Sequence, residues 1–225
     1  MAPPVRLSTF ALRQVPAPDY WAEVRPWVDG GDLLAGLHPG GLSSFSHRDF
    51  LGPARNRPFA ATGRPRRIEL SNNDCVPACC GGVFVTVRRQ DDRVVWSSWE
   101  NTHDSRAPLP GALHFDAARY DGELARAAAD HTWERPVDTT ARLLLRAIED
   151  SGWSERWGCV LEGVAPVQYD PLDSAGPPTV EVDFRLPGGG RGSYELPVAP
   201  HIPVEEQVRA FTERVMAGDP HEAAC

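Results

Sequence analysis

The sequence predicts an α+β fold: a mainly antiparallel sheet built from hairpins, with about three helices packed against it. Three observations carry that prediction. Strand-like runs of period two occur in pairs joined by short turns, helical periodicity is concentrated in three longer segments, and strands and helices do not alternate as regular βα units.

Up to about Arg67 the chain shows little periodicity and is punctuated by "GGDLLAGLHPGGL". The one element expected there is a short helix over "DYWAEVRPWV", Asp19 to Val28, interrupted by Pro26. "PARNRPFAATGRPRR", Pro53 to Arg67, has prolines, arginines and no acid, and reads as a solvated connecting loop. "RRIEL" then reads as a strand, and "VFVTVRR" with "RVVWSSW" as a hairpin turning at Asp91 and Asp92.

A helix follows over Phe115 to His131, with Ala117, Tyr120, Leu124 and Ala128 on one stripe and Asp116 as N-cap. A second is expected over Val137 to Gly152. Its apolar positions are Ala141, Leu144, Leu145 and Ile148, with Pro136 before it and Gly152 at its C-terminal end. "CVLEGVAPVQY" and "TVEVDFRL" return to strands, and the latter sets Val180, Val182, Phe184 and Leu186 against polar neighbours. "PGGGRG" turns into "SYELPV". The last helix, "PVEEQVRAFTERVMAG", directs Val204, Val208, Phe211 and Val215 inward. A helix-to-helix junction is a poor place to divide a domain, so the boundary near Pro136 is weak and residues 1–225 are read as one domain.

Composition narrows the chemistry. All 23 basic residues are arginine, which excludes Schiff-base lysines, the phosphate-loop lysine and Ser-x-x-Lys nucleophiles together. Arginine without lysine, and only three isoleucines, is the bias of a GC-rich genome such as an actinobacterial one. A net charge of −8 argues against general nucleic-acid binding. No apolar run approaches the roughly 18 residues of a membrane span, and proline and arginine break up the N-terminus, so the expected location is the cytoplasm, away from membranes. Five cysteines, an odd number, are expected as reduced thiols.

Candidate site residues gather in "SNNDCVPACCGGVFVTVRR", where Cys75, Cys79 and Cys80 fall within six positions. Zinc needs four ligands, usually as two short-spaced pairs. Cys75, Cys79 and Cys80 supply one cluster, and completion would fall to isolated residues such as His103, His114 or Cys159. Alternatively Cys80 or Cys79 is a nucleophile with His103 or His114 as its base and Asp74 nearby, while Gly81 and Gly82 free backbone N–H groups for an oxyanion. The plain alternative is a set of buried thiols at a bend into a strand. Asn72 and Asn73 could orient a substrate amide, although their types are also those of a turn. Trp96 and Trp99, three apart in a strand, are expected on opposite faces, so that one can face a partner.

"AGLHPGG", "DFLG" at Asp49 to Gly52, the cysteine-bearing strand entrance, "RVVWSSWENTH" and "HFDAARYDGELARA" together resemble a family of uncharacterised bacterial proteins common in actinobacteria. The resemblance runs from Leu34 to about Arg126. In that family the strand entrance reads Cys-x-Cys-Gly-Glu-x-Gly-Cys; Cys75 and Cys80 match its second and last cysteines. Asn73 stands at the first, Val76 and Pro77 replace Gly-Glu, and Cys79 replaces a glycine. The resemblance implies the hairpin and the helix after it, and no activity. With no complete catalytic signature, the sequence points first to a protein-binding accessory or immunity-type module without a cofactor. A thiol enzyme and a structural zinc domain are the alternatives.

Overall fold

The computed structural model describes residues 5–15, 22–50, 56–72, 77–167 and 177–223. Its fold is α+β, with three antiparallel sheets. By its internal contacts the chain forms two compact units, Met1–Trp133 and Glu134–Cys225, dividing just ahead of Pro136.

In the first unit, β1 (Phe10–Val15), β2 (Glu23–Val28) and β3 (Gly31–Asp32) form one sheet. The helix expected over Asp19 to Val28 is not formed at its described end, where β2 is a strand with Pro26 opposite Leu12. Pro26 is tolerated because β3 pairs only with Trp27 and Val28, so no ladder bond is required of its missing N–H on that side. Asp29 and Gly30 make the β2–β3 turn, both at positive φ, as a tight Asp-Gly turn requires.

Asp32 then caps α1 (Leu33–Leu37), accepting from the N–H groups of Leu34 and Ala35. Arg25 links Asp32 at 2.9 Å to Glu23 at 3.0 Å. Burial opposes the charge on Arg25, yet the two carboxylates raise its pKa. This half-buried network ties β2 to α1 and to β4 (Leu42–Ser43), whose Ser43 N–H donates to Glu23 at 2.7 Å.

The second sheet runs β4-β5-β6-β7-β8, adding β5 (Arg66–Asn72), then β6 (Val83–Gln90) after a short α2 (Pro77–Cys80), then β7 (Arg93–Asn101) and β8 (Leu113–Asp116). The β6–β7 hairpin turns at Asp91 and Asp92 as the sequence indicates, with Asp91 at φ 52. α3 (Ala117–Ala129) starts at Asp116, which accepts from the Arg119 N–H, and buries Ala117, Tyr120, Leu124 and Ala127. It also closes the edge of β1: Glu123 accepts the Leu12 N–H at 2.6 Å and Arg126 donates to the Leu12 carbonyl at 2.6 Å.

Two aromatic positions depart from expectation. Pairing jumps from Thr86↔Ser97 to Phe84↔Glu100, leaving Ser98, at φ 52, and Trp99 opposite the single Val85. This bulge cancels one step of alternation, so Trp96 and Trp99 lie on one face with ring centroids 6.0 Å apart. The segment expected to be a solvated loop carries Phe59, fully buried, stacked on Trp96 at 5.5 Å, with its carbonyl accepting from the Tyr120 hydroxyl.

In the second unit, α4 (Pro136–Asp150) buries Val137, Ala141, Leu144 and Ile148. Gly152 at φ 70 turns the chain into α5 (Trp153–Trp157), and β9 (Val160–Pro166), β10 (Thr179–Arg185) and β11 (Arg191–Pro197) form the third sheet in the order β11-β10-β9. Val180, Val182 and Phe184 are fully buried, as their alternation indicates, and Gly189 at φ 87 serves the β10–β11 turn. The last helix is α6 (Val204–Ala217). None of the described helices is long and apolar enough to cross a membrane.

Candidate functional site

The open ends of β5, β6 and β7 bring part of the sequence-predicted cluster together. α2 ends at Cys80 and Gly81 turns back at φ 76, so close to β7 that a Cβ there would stand 2.5 Å from the His103 nitrogen. Gly82 is equally confined, since its Cβ would lie 2.8 Å from the Ser71 carbonyl oxygen. Thr102 clasps the same turn: its hydroxyl accepts the Gly82 N–H at 2.9 Å and its own N–H donates to the Gly82 carbonyl.

His103 is thereby placed beside α2, with Nδ1 3.3 Å from the Cys80 carbonyl oxygen. A carbonyl only accepts, so the proton of that bond sits on Nδ1 and the basic nitrogen of neutral His103 is Nε2. The contact is with the Cys80 backbone. Cys79 is exposed and Cys80 half-buried, both as thiols outside any disulfide.

Three residues that sequence reading did not select complete the corner. His38, just after α1, is fully buried, and its ring lies 4.0 Å from that of His103. Its Nδ1 is 2.9 Å from the Ser71 hydroxyl, which itself lies 2.7 Å from the Leu42 carbonyl. The hydroxyl has one proton to give, and both contacts are satisfied when it goes to Leu42 and His38 carries hydrogen on Nδ1. Gly41 leaves room for this ring, since a Cβ there would collide with it. Asn101, also buried, donates to the Leu37 carbonyl at 2.7 Å and accepts the N–H groups of His103 and Asp104. His38 and Asn101 lie far apart in sequence with no motif between them; the pairing of β4, β5, β6 and β7 brings them together.

The other candidates divide. Asn72 is half-buried and donates to Ser44 and Glu69, which spends its amide on structure. His114 pairs with Val95 on β8, near the opposite end of β7 from His103. Trp96 is fully buried with its indole N–H on the Tyr120 hydroxyl at 3.1 Å, so it belongs to the core and is out of a partner's reach. Trp99 is half-buried and donates to the Gly111 carbonyl. Asn73, Asp74 and Cys75 lie outside the described residues. Among the described residues no three His, Cys, Asp or Glu side chains are grouped to hold a metal ion. Cys159 is buried near Trp157, and burial raises its thiol pKa, with Asp219 adding to the effect.

No protein-family model matches the chain, and no curated protein or solved structure matches it either.

The second unit holds a feature of another kind. Leu143 and Ala147 of α4 face Val208, Thr212 and Met216 of α6 across an open groove of about 500 Å³, with Glu205, Arg209 and Glu213 on its rim. Val208, expected inward, lines this groove, because Gln207 takes the buried position beside it. Gln207 donates to the carbonyls of Ala199 and Ile202 and accepts the Ala199 N–H at 2.7 Å. The Thr212 hydroxyl donates back to the Val208 carbonyl at 2.7 Å, which leaves the groove floor with little unspent polarity. The sequence signal for the groove was there in the breadth of the α6 stripe, which runs through Val208, Phe211, Val215 and Met216.

Proposed function

We propose that the protein is a protein-binding accessory or immunity-type module that engages its partner through the groove between α4 and α6. The observation that carries this reading is the groove floor itself. Leu143, Ala147, Val208 and Met216 stand side by side at the surface, where apolar area remains to be removed from water. A photoreactive side chain at Thr212 tests it in the cells that make the protein. The expected result is a discrete cross-linked protein that disappears in the Ala147→Trp variant; cross-links spread evenly over cell proteins would overturn the reading.

A second reading is favoured by the contact between His103 and the Cys80 backbone, which sets an imidazole beside the end of α2 and the Gly81-Gly82 turn. On this reading Cys80 or Cys79 is a nucleophile, and a zinc ion on the same thiols is its structural variant. Metal analysis of the reduced protein with a thiol titration separates them. A thiol titrating well below the ordinary value of about 8.5 supports the enzyme, stoichiometric zinc supports the metal site, and ordinary metal-free thiols remove both.

A further inference from the structure

The charge of the chain is unevenly shared. Residues 1–133 hold fifteen arginines and fifteen Asp and Glu, whereas residues 134–225 hold eight arginines and sixteen Asp and Glu. The whole excess of −8 therefore falls on the unit that carries the groove. From this we infer that the occupant of the α4–α6 groove is a cationic amphipathic helix of a protein partner, its apolar face against Leu143, Ala147, Val208 and Met216 and its Lys or Arg side chains on Glu205 and Glu213. The inference rests on the protein-binding reading and specifies the partner's chemistry.

Charge and polarity select among occupants. A second copy would bring two units of −8 together and must overcome their repulsion, and an anionic lipid surface meets the same field. A small ligand needs a few convergent polar groups to fix its orientation. Here the floor hydroxyl, Thr212, is turned to its own helix, and the charges lie on the rim. A helix supplies what the groove lacks, because residues at i, i+3, i+4 and i+7 present an apolar stripe while long cationic side chains along one flank reach the α6 carboxylates Glu205 and Glu213. Glu213 now holds Arg209 at 3.6 Å, with both side chains about two-thirds exposed. Such an exposed pair is weak and yields to an incoming cation.

The test uses the full chain and two synthetic helical peptides of one amphipathic pattern, one of leucine and lysine and the other of leucine and glutamate, with binding read by calorimetry. The leucine–lysine peptide is expected to bind and to weaken at least tenfold between roughly 0.05 and 0.5 M salt, as rim charges are screened. Val208→Ser and Ala147→Trp, which leave charge unchanged, are each expected to cost about tenfold or more in affinity, with circular dichroism checking the fold. Equal binding of both peptides, or a leucine–lysine peptide indifferent to Val208→Ser, overturns the inference by showing contact without charge selection or outside the groove. So does a concentration-dependent dimer dispersed by Ala147→Trp, which makes a second copy the occupant. If the native partner still cross-links at Thr212 while the leucine–lysine peptide fails to bind, the cationic occupant falls and the protein-binding reading stands.

Discussion

Asp29 shows how much one side chain can fix at a turn. At φ 50 it occupies a backbone region that Asp and Asn tolerate better than most residues, and its carboxylate accepts from the Thr9 N–H at 2.8 Å and the Ser8 hydroxyl at 3.1 Å. The Thr9 N–H is the main cause of its lowered pKa; burial opposes it, and Ser8 and Arg6 lower it further. Asp130 is lowered likewise by the hydroxyl and N–H of Thr132, with Arg126 adding to them. A carboxylate whose folded pKa lies below its unfolded one contributes stability that is present above the unfolded value, about 3.9, and is lost as pH falls through the folded value. The wild-type urea midpoint should therefore drop below about pH 4. Asp29→Asn, which keeps the turn, should be less stable than wild type at pH 7, and the gap should narrow as pH falls below about 4 and through the lowered folded value. Parallel midpoint curves for the two proteins would show that Asp29 is not a source of the acid sensitivity.

α4 illustrates how an element is held beyond its apolar stripe. Pro136 occupies its first turn, where a missing N–H costs nothing, and Asp138 accepts the Arg135 N–H at 3.0 Å. Across these turns Glu134, almost fully buried, accepts from Arg142 through both oxygens at 2.6 and 2.8 Å and from the Thr139 hydroxyl at 3.0 Å. Its carboxylate is the main cause of the raised pKa of Arg142, against the effect of burial. Removing one member of a buried pair strands the other, so Glu134→Gln is expected to destabilise the second unit by about 3 kcal/mol. Replacing both, Glu134→Gln with Arg142→Gln, should recover part of that loss. A double variant as unstable as the summed single ones would show that the two residues act separately.

The stripe of α4 was legible in the sequence because 3.6-residue periodicity reports packing directly, and the β6–β7 and β10–β11 hairpins were legible through alternation and turn residues. β1 to β4 were not, because strands of two to six residues broken by Pro26 are too short to show a period. Period-two reasoning also misplaced Trp99, since the bulge at Ser98 depends on pairing with β6 rather than on local sequence. In the candidate corner, Cys80 and His103 were anticipated as neighbours. His38, Ser71 and Asn101 were not, because long-range strand pairing gathers them.

At the scale of the molecule, each unit buries its own cluster. One is centred on Phe59, Trp96, Phe115 and Tyr120, and the other on Leu144, Ile148, Trp153 and Phe184. The second cluster draws on all three described helices and all three strands of residues 134–225, which is what an independently folding piece requires. Expressed alone, residues 134–225 should keep helical and strand circular dichroism and unfold cooperatively in urea. The charge division adds a signature that distinguishes the two halves. A compact state carrying −8 is weakened by its own repulsion, and salt relieves it, whereas a unit with equal numbers of both signs has no such net term to screen. Raising ionic strength from about 0.02 to 0.5 M should therefore raise the urea midpoint of fragment 134–225 and move that of fragment 1–133 little. A fragment 134–225 without a cooperative transition would refute the separate core. A folded fragment whose midpoint falls with salt would mean that its ion pairs, such as Glu134–Arg142 and Glu162 with Arg185 and Arg191, outweigh the net repulsion.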